Sequence, residues 1–537
     1  MLVASLVLLC SAHATGAGWT VQTDQGAVRG VVRNGALEFR GIPYAAAPVG
    51  ELRWALPQPA AAWEGVRDAS EFGSACPQQA RFNLTEASAD EDCLTLNVSV
   101  PVDRAPGERL PVFVWIHGGA FVGGASSLYR LDQLARDGRM VVVSMNYRLG
   151  VFGYMPHPVF AHDGYNGNYA LEDQRAALRW VQRNIEAFGG DRDNVTLAGE
   201  SAGAAAVCMH LASPERVQGL FHKAVVQSAG CLHPMKTVAE AQQAGVALGE
   251  RVVGAAVAAG RCKAGNPHVL ECMRSIPVED LLEAQGRYAE ENADDLALFG
   301  PVTGTVTVPR TFREAVEYGR IARVPVLIGG TRDELRLYVG YWVQEGRGIT
   351  AENFRQWIER FYPGHGDAVA AQYAPGDSPP ATFGSMLSDY NPAAGINNCL
   401  YLRTAQAVSA YNPVYAFEFA DRDAPVMGVG IVPPDPGFPL GAAHSSELNY
   451  LFPNLSNTTK IDAPDLSPAG QALAAKMVRY WAQFARTGDP AVSGLPEWPR
   501  YRGGATVMRL EPGKVAAYDA GAEHRCGFWK TLYPETL

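Results

Sequence analysis

The residues best suited to chemistry lie at Gly199-Glu200-Ser201-Ala202-Gly203, a Gly-x-Ser-x-Gly pentapeptide. Serine is a weak nucleophile, so covalent chemistry at Ser201 requires a base, an acid to orient that base, and donors for an oxyanion. The preceding Asn194 to Ala198 is rich in β-branched and apolar residues and reads as a strand, while Ala202 to Ala212 reads as a helix. Ser201 therefore falls on the turn between them. Gly199 and Gly203 remove Cβ atoms that so sharp a turn would crowd, which raises the hydroxyl at the C-terminal edge of a sheet.

The other groups are sought in loops that follow strands, with the acid and then the base after the serine. The apolar run Val324 to Gly329 leads into Gly330-Thr331-Arg332-Asp333-Glu334, so the acid is Asp333 or Glu334. Among the later histidines, His365 stands in a Pro-Gly-His-Gly turn and His524 beside Cys526 near the end; both are expected at the surface. His444, in GAAHSSELNYLF after the apolar run Val414 to Phe419, is the best base. For the oxyanion, the amides of Gly119 and Ala120 in WIHGGAFVGG, joined by that of Ala202, can converge on a carbonyl oxygen. Those glycines lack a following Gly-Lys-Ser/Thr, which argues against a phosphate loop. Nothing in this chemistry calls for a metal or a cofactor.

The elements that must hold these groups follow from periodicity. Leu110 to Ile116 and Met140 to Met145 are continuous apolar runs of strand length, as expected for strands covered on both faces, and Ala224 to Gln227 reads as another. Leu171 to Phe188 carries a helical stripe ending at Gly189-Gly190, and Pro468 to Arg486 carries Leu473, Met477, Tyr480, Trp481 and Phe484 on one side, a stripe read as core packing. Strands alternating with helices predict an α/β fold with a large, mostly parallel central sheet and helices on both faces. Val21 to Ala45 reads as a small antiparallel meander, Ile42 to Trp63 as a long ordered loop anchored by Tyr44, Leu52, Trp54 and Trp63, and 231–320 and 335–412 as helical lid insertions.

Composition narrows the class. A net charge of −10 and a pI near 5.6 argue against nucleic acid as a partner. The first 17 residues pair an apolar run with small residues and read as a signal peptide, leaving 18–537 as one domain with no membrane anchor and a secreted or periplasmic location. The nine cysteines fit an oxidising compartment: Cys10 lies in the signal, and positions suggest Cys76 with Cys93, Cys262 with Cys272, and Cys399 with Cys526. Cys208 and Cys231 are then expected as buried free thiols. Asn-x-Ser/Thr sequons occur at Asn83, Asn97, Asn194, Asn454 and Asn457, with Asn194 too close to the Ser201 strand to be used.

FGGDRDNVTLAGESAG around Ser201 and EDCLTLNV from Glu91 to Val98, with FRGIPYAAAPVGELRW, NYRLG, LEDQRAALRWV, GGTRDE and CGFW, resemble the type-B carboxylesterase and cholinesterase family of α/β hydrolases from about residue 20 onward. The resemblance implies Glu334 as the acid, with Ser201 and His444 as its partners, and supports the three disulfides. It also implies ion pairs Arg53 with Glu91 and Arg148 with Asp173, and a surrounding shell of Glu200, Ser228 and Glu447. The choline-binding tryptophan of cholinesterases has no counterpart between Pro77 and Asp92, and Asp294 to Leu298 replaces the aromatic acyl pocket, so a bulkier acyl group is expected. Thr303-Gly304 stands where the family has Asp-Gly, and no functional reason for that is evident.

The implied activity is that of a serine carboxylesterase acting on small ester substrates without a cofactor. The alternatives are a lipase, amidase or thioesterase using the same three groups, or a non-catalytic adhesion protein of the neuroligin kind, which usually lacks the serine that this chain keeps.

Overall fold

The computed structural model describes residues 19–80, 86–263, 265, 268–292, 299–426, 435–453, 455, 465–504 and 506–537. The expected apolar runs form strands of a 12-stranded mixed sheet. From Val141–Met145 the sheet continues through Leu110–Ile116, Gly190–Glu200, Lys223–Gln227, Val326–Thr331, Val414–Phe419 and Thr506–Leu510, every neighbouring pair parallel. Antiparallel strands close both ends.

Side chains alternate across this sheet as the pleat requires. Val112, Val114 and Ile116 enter one apolar cluster, whereas Phe113 and Trp115 enter another on the opposite face. The helix Tyr169–Asn184 contributes Leu171, Leu178 and Val181 to the first. The helix Pro468–Thr487 places Leu473, Met477, Tyr480, Trp481 and Phe484 in the second, so its stripe is core. Because both faces are covered by helices, apolar residues on these strands point to both sides of the sheet.

The N-terminal meander divides between two sheets. Thr20–Gln22 pairs with Ala27–Arg29, which then runs parallel to Val66–Asp68 in a separate three-stranded sheet. Val31–Arg33 and Ala36–Pro43 instead extend the main sheet. Gly30 lies at the crossing, where a Cβ would sit 2.5 Å from the Glu38 carbonyl oxygen. The loop after Pro43 is anchored as expected by Trp54, whose indole donates to the Val151 carbonyl at 2.7 Å. Trp54 and Phe152 share a third apolar cluster with the insertion helices Val238–Ala258 and Val278–Glu291. The second insertion begins with Arg336–Gln344 and ends with Asn398–Ser409.

The three expected disulfides are present, and a fourth joins Cys208 to Cys231, which are therefore not free thiols. The helix Ala202–Leu211 leaves the strand neighbouring Lys223–Gln227, so the loop after the latter meets the helix and brings the two Cα atoms to 5.4 Å. Chain spacing does not reveal that proximity. His524 is likewise not at the surface: it is 2% exposed, with Nδ1 2.6 Å from Asp389 Oδ1 and Nε2 against Glu418 Oε2. The neighbouring Cys526 ties this turn to the Asn398–Ser409 helix, which draws His524 inward.

Arg53 meets Glu91, and Arg148 meets Asp173 at 2.7 and 2.8 Å; both pairs are buried. Asn97 is also buried, its side chain bonded to Gly41, Ser126 and Ser144, so packing closes that sequon. Asn194 is half-buried and engaged by Lys223 and the Arg486 carbonyl. The proposed signal, the sequons at Asn83, Asn454 and Asn457, and the segment 294–298 lie outside the described residues. No helix among the described residues is long and apolar enough to cross a membrane.

Candidate active site

Ser201 sits between the strand Gly190–Glu200 and the helix Ala202–Leu211 with φ 57° and ψ −124°, a conformation rare for a residue with a side chain. Its amide donates to the Gln227 carbonyl of the adjacent strand at 2.9 Å, which fixes the turn. The flanking glycines are sterically required: a Cβ at Gly199 would lie 2.6 Å from the Gly203 carbonyl carbon, and one at Gly203 would lie 2.1 Å from the Ile116 oxygen.

His444 and Glu334 converge on this turn. His444 Nε2 is 2.9 Å from Ser201 Oγ, and Nδ1 is 2.6 Å from Glu334 Oε2. The other oxygen of Glu334 accepts from the Thr331 amide and the Tyr401 hydroxyl, each at 2.9 Å. Asp333 points elsewhere: its carboxylate accepts from Arg422 at 3.0 and 3.1 Å and from the Ala442 amide at 3.2 Å, tethering the segment just before His444. The two acids left open by the residues alone are thus separated by direction, as alternate positions of a loop should be. His365 is remote in kind, packing against Tyr533.

The loop after Leu110–Ile116 faces the serine. Gly119, Ala120 and Phe121 all have positive φ, at 112°, 54° and 62°. A side chain at Gly119 is excluded, since its Cβ would lie 2.1 Å from the Gly123 oxygen. At Gly118 a Cβ would meet Glu200 Oε2 at 2.8 Å and the Ser201 Cβ at 3.1 Å, so backbone comes directly against the turn. The amides of Gly119 and Ala120 have no acceptor among the described residues. Ala202 opens its helix, where an amide has no intrahelical acceptor.

Three buried carboxylates, Glu200, Glu334 and Glu447, act on the buried imidazole, while Ser201 itself is partly exposed. Burial alone would depress the pKa of His444, but the Glu200 and Glu334 charges more than reverse this and hold it at about 9. The same burial raises Glu200, against the opposing effects of His444 and a Ser445 hydrogen bond. Glu447 is pushed up to about 8 by burial and by the Glu200 and Glu334 charges, while Gln227 donates to it at 3.0 Å. Glu334 is held below its ordinary value because His444 and its hydrogen bonds outweigh burial. Ser228 is fully buried beside Glu334 without meeting hydrogen-bond geometry to it.

Several contributors carry no motif. Tyr401 reaches Glu334 from the second insertion, and the Tyr338 ring lies 5.9 Å from that of His444. Tyr338 lies in the first turn of the helix Arg336–Gln344, which directly follows the turn holding Glu334. Gln227 joins Ser201, Glu447 and Trp481 through three hydrogen bonds. Ser445, with φ 67°, donates to Glu200 Oε1 at 2.6 Å. No cluster of metal-ligating side chains occurs among the described residues.

Residues 18–529 match the carboxylesterase family. Over 495 residues the chain is 35% identical to the para-nitrobenzyl esterase of Bacillus subtilis (strain 168), covering 90% of this chain and 92% of that one. It is 33% identical to the fumonisin B1 esterase of Sphingopyxis macrogoltabida, covering 90% and 85%, and 31% identical to the human (Homo sapiens) cocaine esterase, covering 94% and 88%. The solved structure of a thermophilic PNB esterase superposes with a TM-score of 0.77 at 31% identity, covering 95% of this chain and all of that one. With the mostly parallel sheet, the serine turn and this match along nearly its whole length, the chain belongs to the type-B carboxylesterase family of α/β hydrolases, whose named relatives hydrolyse esters.

Proposed function

We propose that this protein is a serine carboxylesterase in which Ser201, His444 and Glu334 form the catalytic triad. The observation that carries the reading is the continuous chain from Ser201 Oγ to His444 Nε2 at 2.9 Å and from Nδ1 to Glu334 Oε2 at 2.6 Å. His444 takes the hydroxyl proton as Ser201 Oγ attacks the ester carbonyl carbon, and Glu334 orients the ring and stabilises the imidazolium. The amides of Gly119, Ala120 and Ala202 receive the oxyanion. Collapse expels the alcohol, which leaves with the proton from His444, and an acyl-serine remains. Water, deprotonated by the same ring, then releases the acid.

Small esters are the proposed substrates, choline esters excepted. Export through the signal at 1–17 into an oxidising compartment, with 18–537 folding as one domain, fits the four disulfides. Turnover of a panel of esters varied separately in acyl and alcohol size tests the activity. Ser201→Ala should abolish both turnover and labelling by an organophosphate; a variant that stays active would overturn the assignment.

A further inference from the structure

One hydroxyl beside the triad has no part in the steps above. Ser445 follows His444, and its φ of 67° lies in the left-handed region that favours glycine. The strained residue keeps a side chain, and that side chain has one partner: Oγ donates to Glu200 Oε1 at 2.6 Å. The same oxygen lies 3.2 Å from His444 Nε2, the nitrogen that faces Ser201 Oγ at 2.9 Å. Ser445 and His444 therefore converge on one carboxylate oxygen, and Glu200 is 2% exposed.

We propose that Ser445 is a positioning residue whose hydroxyl holds Glu200 ionised and aimed at His444 Nε2, and so sets the pH at which His444 becomes available as a base. The proposal rests on the triad reading above. A hydrogen bond to a buried carboxylate favours its charged form. The charged carboxylate next to Nε2 in turn favours the imidazolium. Without the hydroxyl, Glu200 protonates more readily, the imidazolium loses its neighbour, and His444 gives up its proton at lower pH.

The other ionisable groups around the ring are accounted for. Glu334 stays ionised opposite Nδ1, and Glu447, on the segment carrying His444, is raised by burial and by the Glu200 and Glu334 charges. The phenols of Tyr129, Tyr147, Tyr338 and Tyr401 are all shifted upward by burial and remain neutral. His117, in the loop facing the serine, is lowered to about 4 by burial and is neutral as well. Glu200 is thus the carboxylate at the Nε2 side, and besides His444 it is the Ser445 hydroxyl that favours its charged form against burial.

The test compares the full-length protein with Ser445→Gly, Glu200→Gln and the double variant. Glycine suits the left-handed backbone, so Ser445→Gly should fold with an unchanged or raised melting temperature. The acid limb of its kcat/KM profile should move down by about one pH unit, the scale of one lost hydrogen bond to a charge, with KM little altered. Glu200→Gln should move the limb at least as far, and adding Ser445→Gly to it should produce no further shift. An unmoved limb in Ser445→Gly, or an equal shift in both backgrounds, would overturn the proposal. Titration of His444 by ¹⁵N NMR in histidine-labelled protein reads the same shift without turnover. Loss of the triad reading, seen as turnover by Ser201→Ala, is thereby distinguished from failure of the role given to Ser445.

Discussion

His444 and Glu334 are joined twice. The side chains meet at 2.6 Å, and the His444 amide donates to the Glu334 carbonyl oxygen at 3.3 Å. The backbone link sets the distance between two loops that are far apart in the chain, so the imidazole and carboxylate meet without either side chain searching for the other. Glu334→Gln preserves the shape and removes the charge that selects the tautomer. In the proposed triad kcat should fall by about 10³ to 10⁴-fold, with KM changed much less. Steady-state kinetics of the variant decides this.

The pH profile should begin later than an unperturbed histidine implies. A free imidazole titrates near about 6.5. In the folded site burial opposes the charged ring, yet Glu200 and Glu334 hold His444 at about 9. The acid limb of kcat/KM should therefore lie above 6.5 and extend toward 9. The ring's contribution to stability is complete below its unfolded pKa and is lost as pH rises through about 9. A limb at or below 6.5 would show that the carboxylates do not act on His444 in this way.

His524 should be a stability determinant. Burial disfavours its charged ring, but Glu418 and Asp389 hold its pKa at about 10, so its contribution is also complete below about 6.5 and lost through about 10. His524→Ala would remove the cation shared by two buried carboxylates, leaving Asp389 to Tyr373 and Arg525 and Glu418 to Arg509, so the loss should stay at or below the cost of about 3–5 kcal/mol that an uncompensated buried charge carries. Denaturant unfolding at pH 6 and pH 10 checks it: wild type should lose stability between them by more than the variant does.

The Cys208–Cys231 disulfide should be found by mass mapping of the unreduced protein. It ties the helix after Ser201 to the loop after the neighbouring strand. Replacing both cysteines by serine should lower stability by about 2–4 kcal/mol, with the triad distances kept and kcat changed little. Free thiols at these positions in non-reduced protein would contradict the pairing.

Local signals carried much of this. Gly199 and Gly203 could be placed from the pentapeptide, because a sharp strand-to-helix turn depends on five consecutive residues. The apolar runs at Leu110 to Ile116 and Val414 to Phe419 were legible as strands because burial on both faces favours apolar residues at consecutive positions, Glu418 being the exception. The helix stripe of Leu473 to Phe484 followed from its 3.6-residue period. The choice between Asp333 and Glu334 was not open to such reasoning, since both occupy one loop and differ only in direction; the family resemblance pointed to Glu334, and the tertiary structure turned it toward His444 and Asp333 toward Arg422.

What the chain by itself determined was the fold class, the serine turn and the loops in which partners had to lie, all of which depend on residues near one another in sequence. Only the tertiary structure decided which groups face the imidazole and which cysteines meet. Ser445 meets Glu200 across 245 residues, Cys208 meets Cys231 across 23, and His524 leaves the surface for Asp389 and Glu418. Each depends on sheet register and helix packing, which bring distant segments within hydrogen-bond or disulfide range and leave no periodic trace in the residues themselves.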